Sequence, residues 1–207
     1  MPLLRKTIWL SLILCLSLLA TVVSAPNHVL SLDDDGDYVE IINNDGLNAI
    51  TTQVTVEAWI KPTAFTNEWI PLIYKGDGYN KRSYTLWLAD NGLFGLYSAS
   101  SPNERITLSS PSGLIAKNRW YHIAGVIDVK RGVMKLFING MEVAQKPFAK
   151  NIFVSELPLR IGWTHEEERW EYSPFAGQID EVRKDWWRRS IRSSNPYPYE
   201  KKHGGEC

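Results

Sequence analysis

Apolar and polar side chains alternate along most of the chain that follows residue 28. In Gln53–Lys61 every second residue is apolar, from Val54 to Ile60, and this period of two is that of a half-buried β-strand. No segment of ten residues after residue 25 has helical spacing. Similar strand patterns occur at Tyr38–Ile42, Trp69–Tyr74, Tyr84–Ala89, Leu93–Tyr97, Arg105–Leu108, Trp120–Val129, Val133–Ile138, Leu157–Trp163 and Gly177–Val182.

Turn residues separate these predicted strands. Asp90-Asn91-Gly92 is a loop signal, and Asn139-Gly140 between two apolar runs is typical of a tight β-hairpin. Many short strands at roughly even spacing predict an all-β fold, either an antiparallel sandwich or a barrel.

Two of the strands carry further information. Trp120–Val129 is apolar on both faces, which predicts a strand in the middle of its sheet. Gln53–Lys61 carries Glu57 among apolar residues, so we expect Glu57 to be paired or to lie at an edge, because an unpaired buried carboxylate is costly. The nine Trp residues are expected mainly to fill the core, with stacking on a ligand as the alternative.

The first 25 residues have a separate pattern. Arg5 and Lys6 precede an apolar run, Ile8–Leu19, and small residues follow as far as Ala25. This three-part order is typical of a secretory signal peptide, and the run is shorter than the roughly 20 residues of a membrane span. We therefore predict a signal peptide at residues 1–25 and a secreted, extracellular protein; a retained anchor is the alternative.

The remaining 182 residues are enough for one domain with a substantial core. They contain 21 basic and 23 acidic residues, and this near-neutral charge gives no drive toward nucleic acid or an anionic membrane. After removal of the leader only Cys207 remains, so no intramolecular disulfide can form. Residues 186–207 are basic and lack alternation, and we expect a disordered tail or a truncated linker of a larger multidomain protein.

Short motifs in a fixed order connect the chain to a known family. They lie at Asp33–Val39, Val56–Lys61, Asn118–Ile127, Gly132–Val143, Leu159–Gly162 and Phe175–Arg183, the last reading F-A-G-Q-I-D-E-V-R. Over about residues 28–185 they resemble laminin-G-like jelly rolls of the concanavalin A-like lectin/glucanase superfamily. The resemblance implies an antiparallel two-sheet jelly-roll sandwich at residues 26–185.

The chain departs from that family pattern at two places. Asp34 stands where the family opening usually has Gly, and Lys184–Ser190 is only loosely similar to the family's closing segment. The last element of the fold is therefore expected to differ from that of its relatives.

Catalytic motifs are absent from the sequence. The resembling family includes glycosidases with an E-x-D-x-x-E strand, whose carboxylates act as nucleophile and acid/base, and this chain has no such motif. His165–Arg169 approaches H-E-x-x-H but ends in Arg, so a zinc protease is not expected. The resemblance without a catalytic strand predicts a noncatalytic module; a divergent glycoside hydrolase is the alternative.

The acidic stretch before the Tyr38 strand is a candidate metal site. It starts like an EF-hand loop, but Tyr38 stands where that loop requires Gly and Asn44 where it requires Glu. The family resemblance implies another site, a structural calcium held where the first strand meets the last. Its ligands would come from Asp33, Asp34, Asp35 and Asp180; a solvated turn is the alternative.

Together these features predict a secreted, noncatalytic binding module for carbohydrate or an extracellular protein. Aromatic rings can stack on sugars, and neighbouring amides and carboxylates can bind hydroxyl groups. The candidate ligand contacts lie in loop-like stretches, at Trp163, Trp170, Tyr172, Tyr79 and Asn80.

Overall fold

The computed structural model describes residues 28–66, 68–166, 169–185 and 200–202. These ranges contain one short helix, α1 (Asp45–Asn48), and thirteen strands. The strands are β1 (Leu30–Asp33), β2 (Tyr38–Ile41), β3 (Gln53–Pro62), β4 (Trp69–Gly76), β5 (Arg82–Ala89), β6 (Phe94–Ala99), β7 (Arg105–Ser109), β8 (Tyr121–Asp128), β9 (Val133–Ile138), β10 (Met141–Pro147), β11 (Leu159–Ile161), β12 (Ala176–Asp185) and β13 (Glu200–Lys202).

The strands form two antiparallel sheets. One has six strands in the order β1-β12-β3-β8-β9-β10, and the other has seven in the order β13-β2-β11-β4-β5-β6-β7. Strands that are distant in sequence lie side by side, so the chain crosses repeatedly between the sheets. The predicted all-β, two-sheet jelly-roll sandwich is confirmed.

Several parts of the predicted organisation fall outside the described residues. They are the signal peptide at 1–25 and most of the tail at 186–207. Within the tail, residues 200–202 form β13, which pairs with β2. No helix among the described residues is long and apolar enough to cross a lipid bilayer.

The core lies between the two sheets and follows the alternation of the sequence. On β3, Val54, Val56, Ala58 and Ile60 are at most 3% exposed. Burying an aliphatic side chain of this size contributes about 1.5–3 kcal/mol, so the inward faces of the strands supply most of the stabilising free energy.

The central strands carry the polar pair that the sequence led us to expect. β8 lies between β3 and β9, so its predicted central position is confirmed. β3 is also central, and its Glu57 is paired: Glu57 Oε2 lies 3.5 Å from His122 Nε2 on β8. The expectation that Glu57 has a partner is therefore confirmed.

The predicted hairpin joins β9 to β10. Asn139 and Gly140 have φ angles of 51° and 76°, and a tight hairpin turn with two positive φ angles favours Asn-Gly. This turn confirms the hairpin that the sequence predicted.

Candidate functional site

The segment between β11 and β12 attaches to the edge of β4 and covers part of the outer face of the seven-stranded sheet. The Trp69 amide donates to the Glu171 carbonyl (3.1 Å), and the Ser173 amide donates to the Trp69 carbonyl (3.2 Å). Trp69 and Tyr172 also form a parallel bridge. These backbone hydrogen bonds hold Tyr172 over the sheet, where its ring centroid lies 4.9 Å from that of Trp87.

A β-bulge determines where Arg82 points. Lys75 pairs with Tyr84 and Gly76 pairs with Arg82, so Ser83 is an extra residue on β5. Strict alternation from Trp87 would turn Arg82 toward the core. The bulge instead places Arg82 on the outer face, with its Cζ 4.5 Å from the Trp87 ring centroid. Bulges often re-aim a side chain in this way beside a functional site.

Arg82 is the centre of a buried polar network. Its Nε and Nη2 donate to the two carboxylate oxygens of Glu166 (3.0 and 3.1 Å), and Nη2 also donates to Tyr172 Oη (2.8 Å). Tyr74 Oη donates to Glu166 Oε1 (2.6 Å). The Arg82 and Glu166 side chains are 3% and 4% exposed. This two-pronged contact fixes the plane of the guanidinium group.

The electrostatics of this network keep it charged. Burial alone would lower the pKa of Arg82, but the charge and hydrogen bonds of Glu166 outweigh it, and the pKa is raised. Burial, together with the Glu166 carboxylate, raises the pKa of Tyr74, which therefore stays a neutral donor. Arg82 is thus a permanent cation that is already balanced by one carboxylate.

Aromatic rings form the floor around Arg82. Tyr74, Trp87, Tyr97 and Tyr172 make one buried cluster on the outer face. Trp87 meets Tyr97 edge-on, with centroids 6.1 Å apart, and Trp69 meets Tyr97 at 5.7 Å. Edge-to-face rings at these distances are favourable, so the floor is rigid as well as apolar.

Two more arginines complete the rim. The ring centroid of Tyr79 lies 3.8 Å from Arg105 Cζ, 4.4 Å from Arg169 Cζ and 5.2 Å from Arg82 Cζ. Arg169 Nε donates to Glu171 Oε1 (2.8 Å). We call the resulting cavity, of about 280 Å³, the arginine–aromatic pocket; it is lined by Trp69, Tyr79, Arg82, Trp87, Tyr97, Arg105, Thr107, Ser109, Arg169, Glu171 and Tyr172.

The structure brings together only some of the predicted ligand contacts. Tyr79 and Tyr172 line the arginine–aromatic pocket. Trp163 is half-buried against the aromatic cluster beneath it. Trp170, between two lining residues, is 83% exposed, and Asn80 is exposed in the β4–β5 turn.

Sequence reasoning missed most of the pocket. Trp69, Trp87 and Tyr97 lie on strands and are indistinguishable in sequence from core aromatics. One signal was available, because the face of β5 opposite Leu86 carries Trp87, and a large ring on the face turned away from the core indicates that something covers it. Nothing in the sequence predicts the bulge that re-aims Arg82.

The acidic turn gathers a different set of carboxylates from the predicted one. Asp33, Asp35 and Asp37 each offer an oxygen, all within 4.8 Å of one another. β1 does pair with β12, as the family resemblance implied, but Asp33 faces Ala176. Asp180 is four positions further along β12, about 13 Å away at the rise of a strand. The prediction that Asp180 lies beside Asp33 is therefore wrong.

The turn is electrostatically crowded. A hydrogen bond that the protonated Asp35 carboxyl donates to Asp33, together with burial and the charges of Asp33 and Asp37, raises the pKa of Asp35. Burial, with the charges of Asp33 and Asp35, raises the pKa of Asp34 against a hydrogen bond from Thr66. A cation would relieve this repulsion, and hard carboxylate oxygens are the ligands that calcium prefers.

Two other surfaces offer less to a ligand. On the outer face of the six-stranded sheet, Trp59 packs on His122, with centroids 5.4 Å apart, and Glu57 pairs with that His. A larger open depression of about 520 Å³ lies over the start of β3 and the end of β8, but no aromatic ring lines it. Neither surface combines rings with unpaired donors as the arginine–aromatic pocket does.

Fold and site together define a two-sheet β-sandwich with a small polar and aromatic pocket on one outer face. The chain belongs to the Laminin_G_3 family of the concanavalin A-like lectin/glucanases superfamily, whose model matches residues 33–192.

Among curated proteins, the chain is similar to the non-toxic nonhemagglutinin type D of Clostridium botulinum D phage. The two are 28% identical over 116 residues, which is 56% of this chain and 9% of that protein. The chain therefore spans only a small part of the length of the curated relatives it matches.

Solved structures agree on the fold. The CBM40 module of Ruminococcus gnavus IT-sialidase superposes with a TM-score of 0.62 at 19% identity, covering 76% of this chain and 89% of that one. The same module has been solved bound to α2,3-sialyllactose, with a TM-score of 0.61. Domains LG4-5 of the mouse laminin α1 chain superpose with a TM-score of 0.58 at 10% identity, covering 75% and 40%.

Proposed function

We propose that this protein is a secreted, noncatalytic carbohydrate-binding module whose ligand occupies the arginine–aromatic pocket. The pocket itself carries the proposal, because it combines aromatic rings, fixed charged donors and hydroxyl groups in a volume of about 280 Å³. Ligand sites of about 300–1,000 Å³ usually combine apolar walls with a few oriented polar groups. A Ruminococcus gnavus module of the same fold binds sialyllactose, which supports a sugar ligand.

The pocket's parts suit a sugar ring. Tyr79 lies at the rim, 37% exposed, and the exposed part of its ring offers an apolar contact to a sugar beside the arginines that pack on it. Thr107 and Ser109 on β7 offer hydroxyls, and Glu171 offers carboxylate oxygens. These groups can hydrogen-bond sugar hydroxyls around the ring.

The carboxylates of the pocket favour binding over hydrolysis. A glycosidase needs one carboxylic acid with a raised pKa beside a second carboxylate. Glu166 is engaged by Arg82. A hydrogen bond from its own backbone N–H, and then one from Arg169, lowers the pKa of Glu171. A divergent glycoside hydrolase is the alternative, and sugar release from a polysaccharide panel that is lost in Glu171→Gln would establish it.

Replacing Tyr79 by alanine should weaken glycan binding at least tenfold, a loss of about 1.4 kcal/mol, because Tyr79 lines the pocket and also packs against Arg105 and Arg169. Trp59→Ala is the matched control, because Trp59 is 39% exposed but lies on the opposite sheet. A glycan array followed by calorimetry on the best ligand measures both variants. Equal loss in the two variants, or binding to an extracellular protein and to no glycan, would contradict the proposal.

Without Asp180 beside the turn, the calcium site implied by the family resemblance is lost and the solvated turn is the alternative; a separate calcium site is proposed at Asp33, Asp35 and Asp37, whose oxygens lie within 4.8 Å of one another. If calcium binds the folded chain alone, a hundredfold excess over its Kd should add about 2.7 kcal/mol and raise Tm by about 5–10 °C. Asp35→Asn should abolish that rise and Asp180→Asn should keep it. Thermal melts with calcium and with chelator measure the shift. Unchanged Tm values, or a rise lost in Asp180→Asn, would refute the revised site.

Secretion rests on the leader predicted at residues 1–25. N-terminal sequencing of protein recovered from the culture medium tests it, and a mature chain that starts after residue 24 or 25 is the expected result. A chain that keeps Arg5 and Lys6 would show that the leader is retained.

A further inference from the structure

Two guanidinium groups in the arginine–aromatic pocket have donors that no described residue uses. Nε and Nη2 of Arg82 donate to Glu166 and Tyr172. Both N–H groups of Nη1 have no acceptor among the described residues. The Arg105 side chain makes no hydrogen bond or ion pair with any residue that the structure describes; its guanidinium Cζ lies 3.8 Å from the ring centroid of Tyr79 and 6.0 Å from that of Tyr97.

Arg82 and Arg105 differ in whether a nearby carboxylate balances their charge. Glu166 balances Arg82, and Glu171 balances Arg169. Arg105 has no carboxylate within 4.0 Å among the described residues, and it is half-buried against aromatic rings. A cation that packs on apolar rings is poorly solvated, so an anion brought to it is held more strongly than at an open surface.

The geometry restricts which anion fits. Arg105 contacts Tyr79 through its guanidinium group and uses none of its side-chain N–H donors on a described residue; these donors lie in pairs along the edge of the group. Arg82 approaches the same Tyr79 ring, with Cζ 5.2 Å from the centroid, and its Glu166 contact fixes its orientation. Planar paired donors match the two oxygens of a carboxylate.

We propose that the arginine–aromatic pocket selects a sugar unit that carries a carboxylate, bound by Arg105 and by Nη1 of Arg82. This inference rests on the proposed function, that the pocket binds a glycan. Arg105 attracts the carboxylate through its unbalanced charge. Arg82, whose orientation Glu166 fixes, determines how the carboxylate is oriented through a hydrogen bond from Nη1. The volume of about 280 Å³ lies just below the range of about 300–1,000 Å³ for ligand pockets, so the pocket takes one acidic sugar unit while the rest of the glycan lies outside.

The experiment compares four probes on the mature protein by calorimetry. Two are carboxylated, α2,3-sialyllactose and a glucuronic acid disaccharide; one is sulfated, 3′-sulfated lactose; one is neutral, lactose. The wild type should bind at least one carboxylated probe ten times or more tighter than lactose and than sulfated lactose. The preference should fall as salt rises, since ions screen a partly exposed pair.

Arg105→Gln should remove the preference for the carboxylated probe and lower Tm only slightly, because the Arg105 side chain makes no hydrogen bond or ion pair among the described residues and loses only its packing on Tyr79 and Tyr97. Arg131→Gln is the matched control: Arg131 is an arginine outside the pocket whose side chain is 84% exposed, and its variant should keep the preference. Equal affinity for charged and neutral probes, tighter binding of the sulfated probe, or an unchanged preference in Arg105→Gln would each overturn the inference.

Binding of neutral sugars separates the choice of an acidic sugar from glycan binding itself. If lactose binds as well as sialyllactose and Tyr79→Ala weakens both, the pocket is a glycan site without charge selection, and only the inference fails. If none of the probes and no glycan on an array binds, both fail together.

Discussion

Replacing Glu166 by glutamine should lower the free energy of unfolding by about 3–5 kcal/mol, because removing one partner of a buried ion pair leaves the other charge uncompensated. The Arg82 and Glu166 side chains are 3% and 4% exposed, so water cannot take over the role of the carboxylate. Tyr74 would also lose a charged acceptor. Urea unfolding monitored by Trp fluorescence measures the change.

Glu171→Gln is the matched control for Glu166→Gln. Glu171 belongs to the same segment and is also paired with an arginine, but the Arg169 side chain is 40% exposed. Partly exposed pairs of this kind contribute about 0–1 kcal/mol. Equal losses in the two variants would show that the network around Arg82 does not stabilise the fold as its burial implies.

Replacing Gly177 by alanine should destabilise the protein by about 2–5 kcal/mol, which combines the cost of an unfavourable φ with that of overpacking. Gly177 has a φ of 146°, and an added Cβ would lie 2.3 Å from the Lys61 carbonyl oxygen. That oxygen belongs to the backbone of β3, so it cannot move aside without disturbing the pairing of β12 with β3.

Gly78→Ala isolates the steric part of that effect. Gly78 has a φ of 147°, but nothing lies within 4 Å of an added Cβ. The φ angles of the two glycines differ by only 1°, so most of the difference between the urea midpoints of the two variants reports the clash with β3. If the two losses agree within about 0.5 kcal/mol, the spread expected for ordinary surface changes, then β12 and β3 do not approach as closely as the structure places them.

Local patterns predicted the strands and the turn because each depends on residues that are close in sequence. The alternation in β3 is kept in the fold, since Val54, Val56, Ala58 and Ile60 all face the core. The Asn139-Gly140 turn was predictable for a similar reason, because few residue pairs tolerate two positive φ angles in a hairpin. These features depend on neighbours in sequence and need no knowledge of the other sheet.

Register between distant strands was not predictable in the same way. The family resemblance correctly implied that β1 lies beside β12, yet the pairing of Asp33 with Ala176 places Asp180 at the other end of β1. A shift of a few residues along a strand leaves the sequence pattern intact but moves a carboxylate by about 3.3 Å per residue. The composition of a metal site at a strand pair therefore depends on register.

Some residues of the arginine–aromatic pocket could be predicted from local sequence, and others could not. Tyr79 and Tyr172, which line the pocket, were among the predicted ligand contacts because aromatic rings in loop-like stretches can stack on sugars. Arg82 was missed because a bulge at Ser83 reverses the face on which it lies. Arg105 was missed because its partner, Tyr79, belongs to the β4–β5 turn and meets β7 only in the folded sheet.

A crystal structure of the mature protein with α2,3-sialyllactose tests the central claim most directly. The account predicts one acidic sugar unit in contact with Tyr79, with its carboxylate hydrogen-bonded to Arg105 and to Nη1 of Arg82. The sugar bound instead on the opposite sheet, beside Trp59 and His122, would contradict it, because the arginine–aromatic pocket would then not be the ligand site.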